Sequence, residues 1–177
     1  AAAGAKVVRH ERNSGYDAAL ASGFARADLL DVDVILSTDA DGQLDHRAIP
    51  RLLEKIDAED MEMVLGIRPG SARIGEWLIN IYVRWRFGVR DILCGMKAFR
   101  IEAYRRHRTT MEDGNVYPRL ALALLREGAR FDCVEVEVAP RDGRSRFGGT
   151  WRANRRLLSA FFRMFGRGPS APEKARP

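Results

Sequence analysis

The sequence predicts an α/β domain in which a mostly parallel sheet is flanked by helices, and three observations carry that expectation. Short apolar runs alternate with stretches whose apolar residues recur at helical spacing, giving strand, helix, strand, helix, strand between Lys6 and Gly66. Such alternation favours crossover connections and parallel pairing. The chain has 177 residues, 46% of them hydrophobic, which is the size of one domain able to close its own core. Third, the apolar run Val32, Val34, Ile35 and Leu36 leads directly into an acidic stretch, STDADGQLD at 37–45. Ligands collect at the carboxyl ends of strands in sheets of this kind.

The elements follow in order. Lys6 to Arg9 forms a short strand, and HERNSG turns the chain into a helix from Tyr16 to Leu29 that carries Leu20, Phe24 and Ala27 on one face. VDVILST is the next strand. Asp45 is placed to cap a helix through Ile49, Leu52, Leu53 and Ile56, and MEMVLG is the third strand. A helix from Ala72 to Phe87 holds Trp77, Leu78, Ile81, Tyr82 and Trp85, and MKAFR is a further strand. Val116 to Glu127 reads as a helix, and FDCVEVEV as a strand whose alternating Val and Glu give one buried and one wetter face. PRDGRSRFGG has the Gly and Pro content of a loop. Residues 151–166 (WRANRRLLSAFFRMFG) read as an amphipathic helix, and 167–177 as a disordered tail, so that the folded domain is expected over residues 1–150.

Charge is unevenly placed. The net charge is +6, and the stretch from Arg141 onward holds ten Lys or Arg against only Asp142 and Glu173. A basic end on a near-neutral body suits an anionic partner: a phosphate, a nucleic acid or an acidic membrane surface. Cys94 and Cys133 lack metal or redox spacing and sit among apolar neighbours, as buried free thiols of a reducing compartment do. No stretch reaches the ~20 apolar residues of a membrane span, and the N-terminus has no signal-peptide pattern. The chain begins at AAAGAKVV without Met, so a preceding segment is expected.

The residues of the acidic loop admit two readings. Asp39 and Asp41, one residue apart on a turning backbone, suit a hard divalent cation that keeps places for phosphate oxygens. Alternatively, Asp39 or Asp41 caps an Asx-turn while Asp45 caps the following helix. A calcium EF-hand is excluded, because Gly42 is the fourth rather than the sixth residue from Asp39 and Pro50 stands where the bidentate Glu belongs.

Five segments, RNSGYDAALASGFARA, ILSTDADGQLDHRAI, VLGIR, DILCGMKAFR and VEVAPRDGRSRFG, occur in an order and spacing that resembles the family 2 glycosyltransferases. The likeness is strongest to the branch of dolichyl-phosphate mannose synthases and related polyprenyl-phosphate sugar transferases, and it covers the chain to about Gly149. It implies a GT-A type, Rossmann-like fold. By that resemblance Asp39, Asp41 and Gln43 surround a Mg²⁺ or Mn²⁺ ion and the diphosphate of a nucleotide sugar. Asn13 and Gly15 match an N-x-G turn near the donor, and Arg68 a phosphate-side arginine. Asp91 matches the acceptor side, where it orients the acceptor or a neighbouring arginine. Gly95 lets backbone come close to the sugar, and Lys97 lies toward the acceptor phosphate. Arg144 and Arg146 would neutralise that phosphate and close over the site.

The expected activity is an inverting, metal-dependent transfer of mannose or glucose from a GDP or UDP donor to a polyprenyl phosphate. The setting would be the cytoplasmic face of a membrane, with residues 151–166 in the headgroup region. The sequence departs from the family in two places. The opening strands that hold base and ribose are not represented, so the GT-A domain is expected to be N-terminally truncated, with an inactive fragment that binds metal and diphosphate weakly as the alternative. Tyr117 and Pro118 stand where relatives carry acidic residues, so no site residue is expected on that helix. His10, His46 and His107 read as isolated surface residues. A nucleic-acid binder built on the basic end would lack the base-stacking aromatics of known modules, and no nucleic-acid partner is expected.

Overall fold

The computed structural model describes residues 4–69, 74–111 and 116–139. Helix α1 (Tyr16–Asp28) leads to strand β1 (Val34–Ser37), then a 3-10 turn (His46–Ala48) runs into α2 (Ile49–Ala58) and β2 (Met63–Ile67). Next come α3 (Ile74–Phe87), β3 (Lys97–Arg100), α4 (Ile101–His107) with a 3-10 turn (Arg108–Met111), α5 (Val116–Glu127) and β4 (Phe131–Glu135). The Asp45 side chain accepts a hydrogen bond from the Arg47 amide at 3.0 Å. Pro50 then occupies the first turn of α2, where a missing N–H costs nothing. The expected helix over residues 151–166, the tail and the loop carrying Arg144 and Arg146 lie outside the described residues.

The α/β class holds, but the sheet is mixed rather than mostly parallel. Its order is β1-β3-β2-β4, with β3 antiparallel to both β1 and β2, and β4 parallel to β2. Strands β1 and β2 run in the same direction, as their helical crossover requires, yet the crossover leaves a gap one strand wide. Strand β3 fills it from the opposite end. Lys97 therefore enters the sheet where β1 and β2 finish, in register with Ser37 on one side and Leu65 on the other.

Two further expectations are corrected. Lys6 to Arg9 is not a strand: Val7 and Val8 are exposed, and no described strand pairs with the segment. Extended backbone without a partner leaves its polar groups to water and gains nothing from the ladder. Helix α4 was not anticipated, because IEAYRRH follows β3 with no turn residue to announce it.

The sheet separates two apolar layers. On one side Ile35, Met63, Leu65 and Phe99 meet Phe24 of α1, Leu120 and Leu124 of α5, and Tyr104 of α4. Phe24 lies edge-on to Phe99, with ring centroids 6.0 Å apart. On the other side Val64, Ala98 and Val134 pack on Leu52 and Ile56 of α2. All five residues of β2 are buried, so this strand reads as a continuous apolar run between two helical layers. Among the described residues no helix is long and apolar enough to cross a membrane.

Candidate active site

The carboxyl ends of β1 and β2 and the first residue of β3 meet at one edge of the sheet. The acidic loop leaves β1 there. The Gln43 amide donates to Oδ1 of Asp41 at 3.1 Å, so Asp41 makes the Asx-turn. Leu44 is buried beneath the loop and bridges to Val138. The Asp45 amide donates to the Glu137 carbonyl at 3.1 Å, and the Ala139 amide to the Gln43 carbonyl at 2.8 Å. The loop is thus stitched to the chain that continues from β4.

Asp39 is held between two elements. The Tyr16 hydroxyl donates to its Oδ1 at 3.1 Å. On its other side lies Gly95, where a Cβ would stand 2.0 Å from Oδ2 and 2.3 Å from Cγ of Asp39. The resemblance implied a glycine that admits a sugar; in the structure the space is filled by the carboxylate of Asp39. Asn13 and Gly15 form a second Asx-turn, the Gly15 amide donating to Asn13 Oδ1 at 3.0 Å. Gly15 adopts φ 90°, a left-handed conformation suited to glycine, and α1 begins at the next residue.

Arg68, one residue past β2, is joined to Asp91. Its Nε donates to Asp91 Oδ2 at 2.7 Å and its Nη2 to Oδ1 at 3.1 Å, while Nη2 also reaches Glu76 at 3.4 Å. Asn80 donates to Asp91 Oδ1 at 3.3 Å and accepts from the Ile92 amide at 3.2 Å. Burial alone would push the Asp91 carboxyl up, but the hydrogen bonds and charge of Arg68 outweigh it and hold the group below the usual carboxylate range. Burial likewise opposes the Arg68 charge, and Asp91 overcomes it and raises the arginine further. Of the two roles expected of Asp91, orienting the acceptor or a neighbouring arginine, the structure shows the second: Arg68 and Asp91 are a bidentate pair in one network.

Glu76 and Asn80 are the members that sequence reasoning missed. They lie four residues apart on α3 and are buried, and two polar residues on the buried face of an apolar helix were the available signal. Tyr16 was missed as well, because it reads only as the first residue of a helix.

Lys97, expected at the acceptor phosphate, has no exposed surface. Its ammonium donates to the Cys94 carbonyl, and burial pulls its pKa down to about 8. The Cys94 thiol beside it is pushed up by burial, and both cysteines are free. His107 is not isolated, since Nε2 meets Glu127 at 2.8 Å, and His10 meets Ser22 at 2.8 Å.

A divalent cation can be tested against this loop. Among the described residues no group of three His, Cys, Asp or Glu gathers to form a closed metal cage. The hard donors present are the carboxylates of Asp39 and Asp41 and the amide oxygen of Gln43. That chemistry fits Mg²⁺ or Mn²⁺, which take few protein oxygens and leave positions for phosphate and water.

A family model for glycosyl transferase family 2 matches residues 2–108. The chain belongs to glycosyl transferase family 2. An uncharacterized protein of Methanocaldococcus jannaschii is 30% identical over 115 residues, 58% of this chain and 47% of its own length. Among solved structures, the glucosyl-3-phosphoglycerate synthase of Mycobacterium tuberculosis with Mn²⁺, UDP and phosphoglyceric acid superposes with a TM-score of 0.64 at 17% identity, covering 93% of this chain and 57% of that one. A mycobacterial protein gives a TM-score of 0.66 at 18% identity, over 96% of this chain and 60% of that one. At such identity the superpositions establish the GT-A fold. The chain spans about half the length of the curated relative and under two thirds of these solved chains.

Proposed function

We propose that this chain forms the diphosphate and acceptor side of a metal-dependent, inverting hexosyltransferase of the dolichyl-phosphate mannose synthase type. The carrying observation is the pair Asp39 and Asp41 at the end of β1, with Asp39 seated against Gly95 and under the Tyr16 hydroxyl. Asp39, Asp41 and Gln43 would hold Mg²⁺ or Mn²⁺, which when bound supplies Lewis-acid stabilisation of the charge that develops on the departing diphosphate.

The chain's own groups do the rest. Arg68, fixed by Asp91 and Glu76, presents positive charge to the donor diphosphate, and Asp91 acts as its positioning residue. Asn13 and Gly15 shape the donor edge. An acceptor phosphate is already ionised near neutral pH, so no strong base is needed. Its oxygen bonds to the anomeric carbon as the bond to the donor diphosphate breaks, the electron pair leaving with the nucleoside diphosphate. Arg144 and Arg146 relieve the repulsion between the two phosphates. Lys97 contributes its buried charge from beneath the site.

The acceptor is a polyprenyl phosphate at the cytoplasmic face of a membrane, with the Phe and Arg residues of 151–166 on lipid headgroups. The match of DILCGMKAFR and DGRSRFG to that branch supports this acceptor. The solved synthase, in complexes with UDP-glucose and phosphoglyceric acid, pairs a nucleotide sugar with an acceptor that also bears a phosphate. GDP-mannose is the proposed donor and UDP-glucose the competing one. Calorimetric titration of the 177-residue chain with each sugar nucleotide, with and without Mn²⁺, tests the reading. Metal-dependent binding that disappears in Asp41→Asn supports it and ranks the donors. A folded chain that binds neither overturns the assignment of donor binding to these residues.

A further inference from the structure

We propose that Tyr16 is a positioning residue for the metal-holding acid, and that the Asn13–Gly15 turn acts on the site through it. The inference rests on the metal reading of Asp39 given above.

A carboxylate at the edge of a loop has two free torsions and ordinarily samples several orientations. Asp39 does not have that freedom. Its carboxylate fills the volume that a side chain at position 95 would take, and its Oδ1 accepts from Tyr16 at 3.1 Å. Backbone closes one side and a phenol holds the other.

The phenol comes from the first residue of α1, so its position is fixed by whatever fixes the start of that helix. That is the Asn13–Gly15 turn, with its 3.0 Å hydrogen bond and the φ of 90° at Gly15. The turn is 24 residues before Asp39 in sequence at its nearest member, and Tyr16 is the contact that joins the two. A hydroxyl that donates to one carboxylate oxygen fixes the orientation of the whole group, and outer partners of this kind commonly change metal affinity by about 10-fold or more.

Tyr16 is also a clean residue to alter. Its side chain is half exposed, so removing one hydroxyl opens no cavity. Mn²⁺ alone, titrated into the 177-residue chain and followed by the loss of its free electron paramagnetic resonance signal, gives the affinity without any turnover. The expected result is a loss of about 10-fold in Tyr16→Phe at an unchanged melting temperature, with binding abolished in Asp39→Asn. Gly15→Ala, which meets no steric obstacle but strains a left-handed backbone, should weaken Mn²⁺ in the wild-type background and have no further effect in Tyr16→Phe.

Wild-type affinity in Tyr16→Phe, with binding still lost in Asp39→Asn, overturns the role of Tyr16 and leaves the metal reading standing. Wild-type affinity in Asp39→Asn overturns the metal reading and this inference with it. Independent, multiplying losses from Gly15→Ala and Tyr16→Phe would overturn the claim that the turn acts through the phenol.

Discussion

The two ends of the sheet use charge in opposite ways. At the end where β2 and β4 begin, each charge pair keeps at least one well-exposed member: Asp60 meets Arg130 at 2.7 Å and Arg100 at 3.4 Å, and Glu62 and Glu127 share Arg106 at 2.6 and 2.8 Å. Arg130 and Asp60 are 60% and 70% exposed. At the end where β1 and β2 finish, the Arg68–Asp91 pair is 23% and 4% exposed, Lys97 is fully buried, and Asp39 is braced by neutral groups. Exposed pairs contribute little to stability because water screens them. The buried network is costly to desolvate and is retained only where every partner is in place. The difference sets the end proposed above to hold the donor apart from the end where charge only decorates the surface.

The sharpest way to break this contrast is Asp91→Ala, which leaves the Arg68 guanidinium partly buried beside Glu76 alone. Denaturant unfolding should show a loss of about 3–5 kcal/mol; a loss below about 1 kcal/mol would put the pair in the same class as the exposed ones. The same pair sets a pH dependence. Because Asp91 is held below its unfolded value, its contribution is complete above the ordinary aspartate range and is lost as pH falls through the lower folded pKa. Stability measured from neutral to acid pH should decline there, and Asp91→Asn should remove that part of the slope.

Gly95→Ala comes next. A Cβ 2.0 Å from Oδ2 must displace the Asp39 side chain from the position that Gly95 and Tyr16 give it. The melting temperature should change little while Mn²⁺ affinity falls about 10-fold or more. Smallest of all is Arg130→Ala at the opposite end, expected to cost no more than about 1 kcal/mol and to leave metal and donor binding as in the wild type. A large loss of donor binding in that variant would erase the distinction between the two ends.

The alternation of elements and the position of the acids were legible in the sequence because both depend on local pattern. Apolar spacing marked α1, α2, α5 and each described strand, and the D-x-D acids fell where β1 ends. Strand direction was not legible, since the residues of MKAFR are equally good in either sense and only the path after α3 decides. An arginine partner for Asp91 was one of the two expected roles, but that it is Arg68 was not legible for a related reason: the residues are 23 apart in sequence, and the pairing exists only once β2 and the segment before β3 reach the same edge. Lys97 was expected at the acceptor phosphate, yet the middle strand of a sheet covered on both faces buries its first residue completely.

The antiparallel strand in the middle has a consequence for how the site can evolve. Asp39 and Arg68 lie just past the ends of β1 and β2, and these are kept apart by the width of β3, two inter-strand spacings or about 9–10 Å. That gauge is written in backbone hydrogen bonds. Side-chain replacements can alter what stands at either mark, and loops can change what lies between them, while the separation itself is set by the sheet and by no side chain.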